Sequence, residues 1–488
     1  MSDKGSGPAL AAARDGIKAQ PIKLSSEVEE ALYEVRKTIH PRAVHGWFAG
    51  WRWSLVWVTQ ILFYGSAWLT WNGRQAVLFD LAARKFYIFG LVLWPQDFIF
   101  LAVLLIIAAY ALFLFTAIAG RLFCGYACPQ TVYTEIFMWI ERKVEGGRNA
   151  RLKLDRQSLN AEKLFKKLSK HGLWIALALW TGFTFVGYFT PIRSLLAGVS
   201  RLELGPWESF WLFFYAFATY GNAGWMREQV CKYMCPYARF QGAMFDQDTM
   251  IITYDNRRGD PRGSRSRKAD PKVLGLGDCI DCGICVEVCP TGIDIRNGLQ
   301  YECIGCAACA DGCDQVMGKM NYPKGLIRYS TDNAVKHHWS RADIWRRAAR
   351  PRTLIYSAIL LLIVSAFAAA LWTRVPLKVD VIRDRGALAR VVDDGIIENV
   401  YRLQIMNTQE EFRRFRITAS GIGGIYVASE EIAELPGASA KAFPVRLRLP
   451  AAAARLAQPG SNPITFEIKA INHDNVSVRE KSVFLLPR

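Results

Sequence analysis

The sequence predicts a multi-domain membrane protein: a five-span α-helical transmembrane bundle, a cysteine-rich cytoplasmic module and a C-terminal Ig-like β-sandwich. Three observations predict it. Apolar residues concentrate in five long uncharged windows; Lys and Arg crowd the segments between them, to a net charge of +18; and all twelve cysteines precede the last window. At 488 residues the chain also exceeds what one hydrophobic core organises, so several units are expected.

Segment 1–50 holds no apolar stretch longer than residues 8–13, too short for a signal-peptide core. It is expected to stay cytoplasmic, with disorder up to about Ser25. Region 51–255 carries four windows, 53–71, 98–119, 173–190 and 209–226, and a fifth runs over 354–372. Crossing a bilayer takes roughly 20 apolar residues. No window shows the charged face that a helix half-buried in a soluble core presents. Trp51, Trp53, Trp68, Trp71, Trp94, Trp207 and Trp372 sit near the window ends, where amphipathic rings settle at headgroup depth. Residues 120–172 hold eleven Lys and Arg against three, Arg74, Arg84 and Lys85, in 72–96. Basic residues stay on the cytoplasmic side, so the amino terminus is expected inside and the carboxyl terminus outside a bacterial inner membrane.

Two cysteine pairs lie at the membrane edge. Cys124-Gly-Tyr-Ala-Cys128-Pro-Gln follows the second window and Cys231-Lys-Tyr-Met-Cys235-Pro-Tyr follows the fourth. On a helix this spacing places both sulfurs of a pair on one face, and the two pairs share one membrane face. Thiolates are soft ligands for Cu(I) or for iron–sulfur clusters, and Met226 or Met234 would add a thioether. One such pair could be two buried small hydrophobes; two matching pairs, each followed by proline, point to function.

Segment 256–272 is a basic, glycine- and proline-containing linker, expected as a flexible tether near anionic lipid, with docking of an acidic electron donor as the rival reading. Segment 273–330 contains Cys279-x2-Cys282-x2-Cys285-x3-Cys289-Pro and Cys303-x2-Cys306-x2-Cys309-x3-Cys313. Three thiolates at this spacing wrap three corners of a cubane, and the fourth cysteine of each run reaches the other cubane. Two [4Fe–4S] clusters are therefore expected in a ferredoxin-like domain. One is held by Cys279, Cys282, Cys285 and Cys313, the other by Cys303, Cys306, Cys309 and Cys289. Structural zinc would instead use two cysteine pairs separated by a longer gap. Asp314 stands where the bacterial run has proline. Cytoplasm is reducing, so disulfides are not expected.

A juxtamembrane segment, 331–353, leads to the fifth window. Beyond it, 373–488 alternates with period two at Tyr401, Leu403, Ile405; Phe415, Ile417; Val445, Leu447, Leu449; and Ile464, Phe466, Ile468. Short alternating strands with turns such as Ser420-Gly421 predict an antiparallel sandwich facing the periplasm. None of His40, His45, His171, His337, His338 and His473 falls inside a window, which argues against a membrane haem, and His337-His338 reads as a solvated pair. No phosphate-binding or dinucleotide fingerprint occurs, so ATP and NAD are not expected. Lys and Arg flank the apolar windows and do not cluster on one module, which speaks for lipid contact and against nucleic acid.

The two Cys-x3-Cys-Pro elements, the double ferredoxin run, the fifth span and the exported sandwich together resemble the FixG/CcoG family of accessory proteins of cbb-type cytochrome c oxidase assembly. The likeness runs from about His40 to the end, and 124–130 and 231–241 are its most specific stretches. The resemblance implies a cupric reductase. Copper would be its substrate, and Cys124, Cys128, Cys231 and Cys235 the copper-handling thiols fed with electrons by the two clusters. It also implies a cytoplasmic electron donor, a copper chaperone and a copper-exporting ATPase as partners in oxidase assembly. A homodimer is a possible assembly state. The alternatives are a quinol-linked polyferredoxin subunit, whose four thiols bind a further cluster, and a redox-silent assembly scaffold.

Overall fold

The computed structural model describes residues 38–271, 273–384, 389–471 and 476–487; the expected disorder near the amino terminus, Lys272 and His473 lie outside them. Met1–His40 is a unit of its own, and the architecture below is that of Pro41–Arg488.

Helices fall on all five windows, on 98–119 with the expected bounds and on the other four with shifted ones. α1 spans Trp47–Ser66 and α2 Phe98–Ala119. α3, Pro129–Glu145, follows the first cysteine pair. α4, Ala161–Val186, begins twelve residues before its window, because the Asn160 side chain caps it by accepting from Lys163 N at 2.7 Å. α5, Pro206–Thr219, gives way to π-helix over Tyr220–Met226 and again over Val230–Met234. α6, Pro236–Met244, follows the second pair, α7 is Ala308–Met320, and α8 is Pro351–Trp372. Pro sits at the first position of α3, α5, α6 and α8, where its missing N–H costs nothing.

α1 starts six residues before the expected window and stops before Trp68 and Trp71. Its N-terminus is held by Asp311, whose carboxylate accepts from Phe48 N at 3.2 Å and Ala49 N at 2.7 Å. Two stretches among the described residues, Pro95–Ala119 and Pro351–Trp372, are long and apolar enough by themselves to cross a membrane. They pack together through Phe100 and Phe367 (ring centroids 6.0 Å) while Leu105 and Leu362 remain 62% and 70% exposed. Such continuous apolar surface suits lipid and is unfavourable in water.

Between α1 and α2 the chain is not a plain loop. Thr70–Trp71 pairs with Arg74–Gln75 around Asn72-Gly73, both at positive φ, and a three-stranded meander follows over Val77–Asp80, Lys85–Ile88 and Leu91–Leu93. This element meets the C-terminal sandwich. Val92 and Trp94 pack with Met406, Arg74 pairs with Glu410, and buried Asp97 pairs with Arg374 (2.6 Å) and Lys378.

The sandwich has one sheet ordered Tyr426–Val427, Ser439–Leu449, Ile396–Asn407, Leu377–Arg383, with Arg390–Val392 also on Ile396–Asn407. The other runs Ile432–Leu435, Arg413–Ser420, Gly460–Ala470, Ser477–Leu486. The alternating residues expected to point inward do so: Leu403, Ile405, Phe415, Leu447, Phe466 and Ile468 are fully buried in one core.

Basic segment 256–272 is not a free tether in its described part. Residues 258–263 run alongside 277–279, with Gly277 N to Pro261 O and Asp278 N to Arg258 O both at 2.9 Å. Arg265 reaches Gly277 O at 2.6 Å and lies over the Tyr322 ring. Backbone pairing on this side satisfies groups that a solvated linker would leave to water.

Candidate metal centres

The double cysteine run folds around two small cavities. Cys279, Cys282, Cys285 and Cys313 line one. Cys289, Cys303, Cys306 and Cys309 line the other, and Cys285 reaches both. These are the groupings that the spacing predicts. The first cavity is the outer one, since Cys282 is exposed; the inner is enclosed by the rest of the chain.

Among the described residues no three His, Cys, Asp or Glu side chains approach closely enough to hold a single ion. A tetrahedral zinc would draw four sulfurs to about 2.3 Å from one point, whereas a cubane offers each thiolate its own iron and spaces them more widely. Burial pushes the Cys285 thiol up to about 11 and Cys303 and Cys313 up to about 12. Sulfurs that resist ionisation in a dry pocket need a cationic metal to become thiolates. Eight thiols ringing two pockets at this spacing fit two [4Fe–4S] clusters, which would supply one-electron redox chemistry there.

Arginines lock the inner pocket to α1 and to the turn after α2. Arg52 of α1 donates to Cys306 O at 2.6 Å. Arg121 donates to Cys303 O at 3.1 Å, to Tyr301 O and to Ala238 O at 2.7 Å. Gly305, at φ +69°, lets its loop pass against the Arg121 carbonyl, and a Cβ there would meet Arg121 O at 3.0 Å.

Both membrane-edge pairs lie against this pocket. Cys124 and Cys231, like Cys309, are half-buried against the cluster formed by Val288, Ile304, Cys306 and Ala308. Gly125 touches the inner run directly: a Cβ on it would lie 2.8 Å from the Cys306 Cα and N and from Gly305 O. The pairs do not sit on continuous helices as the spacing suggested. Cys124 belongs to the short helix Leu122–Tyr126 and Cys128 is extended, capping α3; Cys231 is π-helical and Cys235 is extended, capping α6. Proline after each second cysteine disfavours helical geometry at that cysteine, which makes the break.

Two glutamines tie the pairs together. Gln130 donates to Asn222 O at 2.9 Å and Arg227 O at 3.1 Å, joining the helix capped by Cys128 to the π-helical turn before Cys231. Fully buried Gln241 accepts from the Cys124 thiol at 3.3 Å. Burial, with Cys128 and Cys231 nearby, pushes Cys124 up to about 12; burial, with Cys128 and Cys235 nearby, does the same to Cys231. Cys124, Cys128, Cys231 and Cys235 therefore lie in one neighbourhood. Met234 is 57% exposed and Met226 lies in the first π-helical stretch. A cavity of about 1000 Å³, lined by residues including Arg52, Trp53, Glu135, Cys231 and Cys306, leads to both thiol sets.

Beneath the pairs, Glu141 accepts from Arg151 (2.9 Å) and Arg227 (3.1 Å), all three buried, and Lys170 pairs with Glu145 at 2.9 Å. Arg227 is at φ +43°, a strained non-glycine turn between the two π-helical stretches, and this ion network holds it. Sequence reasoning passed over Arg52, Arg121, Gln130, Glu141, Gln241 and Asp311. Arg52 and Arg121 beside apolar windows, and Gln130 and Gln241 a few residues past each Cys-Pro, carry such a signal in the sequence; Glu141 and Asp311 carry none.

Family models match three parts of the chain: a 4Fe–4S dicluster domain over residues 226–332, an IG-like fold at the C-terminal of FixG over 367–487, and a 4Fe–4S binding domain over 100–146. The last takes in Cys124 and Cys128. Among curated proteins, the chain is 40% identical to Protein RdxA of Cereibacter sphaeroides, over 90% of this chain and 93% of that one. It is 38% identical to Nitrogen fixation protein FixG of Rhizobium meliloti, over 82% of each. With Ferredoxin-type protein NapH of Haemophilus influenzae it shares 21% identity over 45% of this chain and 68% of that one.

Proposed function

The chain belongs to the FixG family of iron–sulfur electron-transfer proteins, and from that premise we propose that it is a cupric reductase of the bacterial inner membrane. In this reading α1, α2, α4, α5 with its π-helical extension, and α8 are the five spans. The amino terminus and cluster module face the cytoplasm and the sandwich faces the periplasm. Cys279, Cys282, Cys285 and Cys313 would hold an outer cluster and Cys289, Cys303, Cys306 and Cys309 an inner one, and the pair would supply one-electron transfer toward the membrane-edge thiols. There Cu(II) is held by Cys124, Cys128, Cys231 and Cys235. Each Cu(II) takes one electron and becomes Cu(I), the state that soft thiolates stabilise over the nitrogen- and oxygen-loving Cu(II). The product serves a copper-exporting ATPase and a copper chaperone that supply the haem–copper centre of a cbb-type cytochrome c oxidase.

The observation that carries this reading is that Cys124 and Cys231 pack against the buried cluster that contains Cys306, with no room at Gly125 for anything between the loops. A second reading, a quinol-linked carrier whose four membrane-edge thiols bind another cluster, is favoured by the 4Fe–4S match over 100–146. Iron per chain and copper reduction separate them. The test uses anaerobically purified protein, dithionite-reduced, desalted and titrated with Cu(II). The cupric reductase gives about eight irons per chain and cluster oxidation matched to Cu(I), lost when the four cysteines become alanine. About twelve irons, with copper reduction indifferent to those cysteines, favours the second reading.

A further inference from the structure

The outer pocket carries the exposed cysteine of the two sets, and the surface around it has a defined charge. The ribbon over 258–263 pairs with the backbone of 277–279, and Arg265 donates to Cys279 O at 3.3 Å, so the basic segment is fixed against the first ligand of the outer set. Cys282, three residues on, is the exposed thiol of that set. The carboxylates here are already engaged: Asp278 by Arg258 at 2.5 Å, Asp260 by Arg262 at 3.2 Å, and Asp281 and Asp294 by Arg296. Asp270 has a partner as well. Arg267 and Lys268 are exposed and, among the described residues, have no carboxylate partner. A fixed cationic edge beside an exposed cluster ligand attracts and orients an anionic partner.

We propose that residues 261–268, beside Cys282, form the docking surface for an acidic one-electron carrier protein of the ferredoxin or flavodoxin class, which reduces the outer cluster. The proposal rests on the electron-transfer reading above. One electron leaves the reduced carrier and one enters the [4Fe–4S] cluster, taking it from the 2+ to the 1+ state, with no proton or group transferred.

The test is the Kd of a recombinant acidic plant-type ferredoxin for the full chain in neutral phosphatidylcholine nanodiscs. Measurements compare wild type, R267E/K268E, and K441E/K481E, which makes the same charge change on the sandwich. We expect binding about tenfold weaker in R267E/K268E and weakening with salt in wild type, with K441E/K481E like wild type and dithionite reduction of the clusters equal in all three. No ferredoxin binding, or equal binding by all three, overturns the proposal. So does protection of the Arg267 and Lys268 peptide bonds from trypsin by anionic nanodiscs but not by ferredoxin, which assigns the patch to lipid. If ferredoxin binds as expected but the reduced clusters pass nothing to copper, the docking surface stands and the cupric reductase reading falls.

Discussion

Gly125→Ala is the sharpest probe of the contact between the membrane-edge loop and the inner cluster pocket. A methyl group there meets the Cys306 Cα and N and Gly305 O, all at 2.8 Å, and ordinary contact begins at about 3.4 Å. The obstacle is backbone on every side, so no flexible side-chain end can yield, and the loops must part by roughly half an ångström. Overpacking of this kind costs about 1–3 kcal/mol, a factor of roughly 5 to 150 in how well the cluster module stays docked. Gly318, near the end of α7, is the control. Nothing lies within 4 Å of its Cβ position, so Gly318→Ala should stabilise by about 0.5–1 kcal/mol. The assays are thermal unfolding in detergent, iron content, and single-turnover oxidation of reduced clusters by Cu(II). We expect G125A to keep its iron but lose stability and slow the oxidation, and G318A to keep its iron with neither loss. Wild-type stability and wild-type oxidation in G125A would refute the direct contact.

Three further outcomes follow from buried groups. Glu141→Gln leaves Arg151 and Arg227 without their shared anion and should cost about 3–5 kcal/mol by chemical denaturation. Burial alone would raise the Glu141 carboxyl, but Arg227, Arg151 and Lys170 hold it below its usual 4.5, so its contribution is present above that pH and fades as pH falls through the lower folded value. The gap between wild type and E141Q should therefore narrow on acidification, and a gap that widens below pH 4.5 contradicts the assignment. Asp97→Asn removes the anion facing Arg374 and Lys378 and should loosen the sandwich by about 3 kcal/mol, seen as faster proteolytic release of the C-terminal domain. Phe466→Ala empties a fully buried site and should cost about 3–5 kcal/mol of sandwich stability by calorimetry, while iron content stays unchanged.

How much the sequence disclosed depends on whether the signal is local. Cysteine spacing is local and chemical, and it named both thiol sets and their grouping. Period-two alternation is local too, and it placed the inward residues of the sandwich strands. The meander after α1 was missed although Asn72-Gly73 is a strong hairpin signal, because the strands beside it are too short to show alternation. Window bounds failed where a partner distant in sequence sets the helix end, as Asp311 does for α1 across 262 positions to Ala49. The π-helical stretches had no expectation attached to them; the first lies where Gly224 lets its backbone close on Trp174, a contact invisible in composition.

The unequal shelter of the two cysteine sets bears on how the protein survives air. Cys282 is open to solvent, while none of the inner four is exposed and Arg52 of α1 closes on the Cys306 carbonyl. Oxygen and peroxide reach the outer set first, and exposed thiolates are the ones that climb the oxidation ladder. A preparation handled aerobically should thus settle at about four irons per chain instead of falling to none. Such a product keeps the inner set against the Cys124 and Cys231 loops and loses the cluster nearest solvent: a relay with its far end intact and its inlet gone.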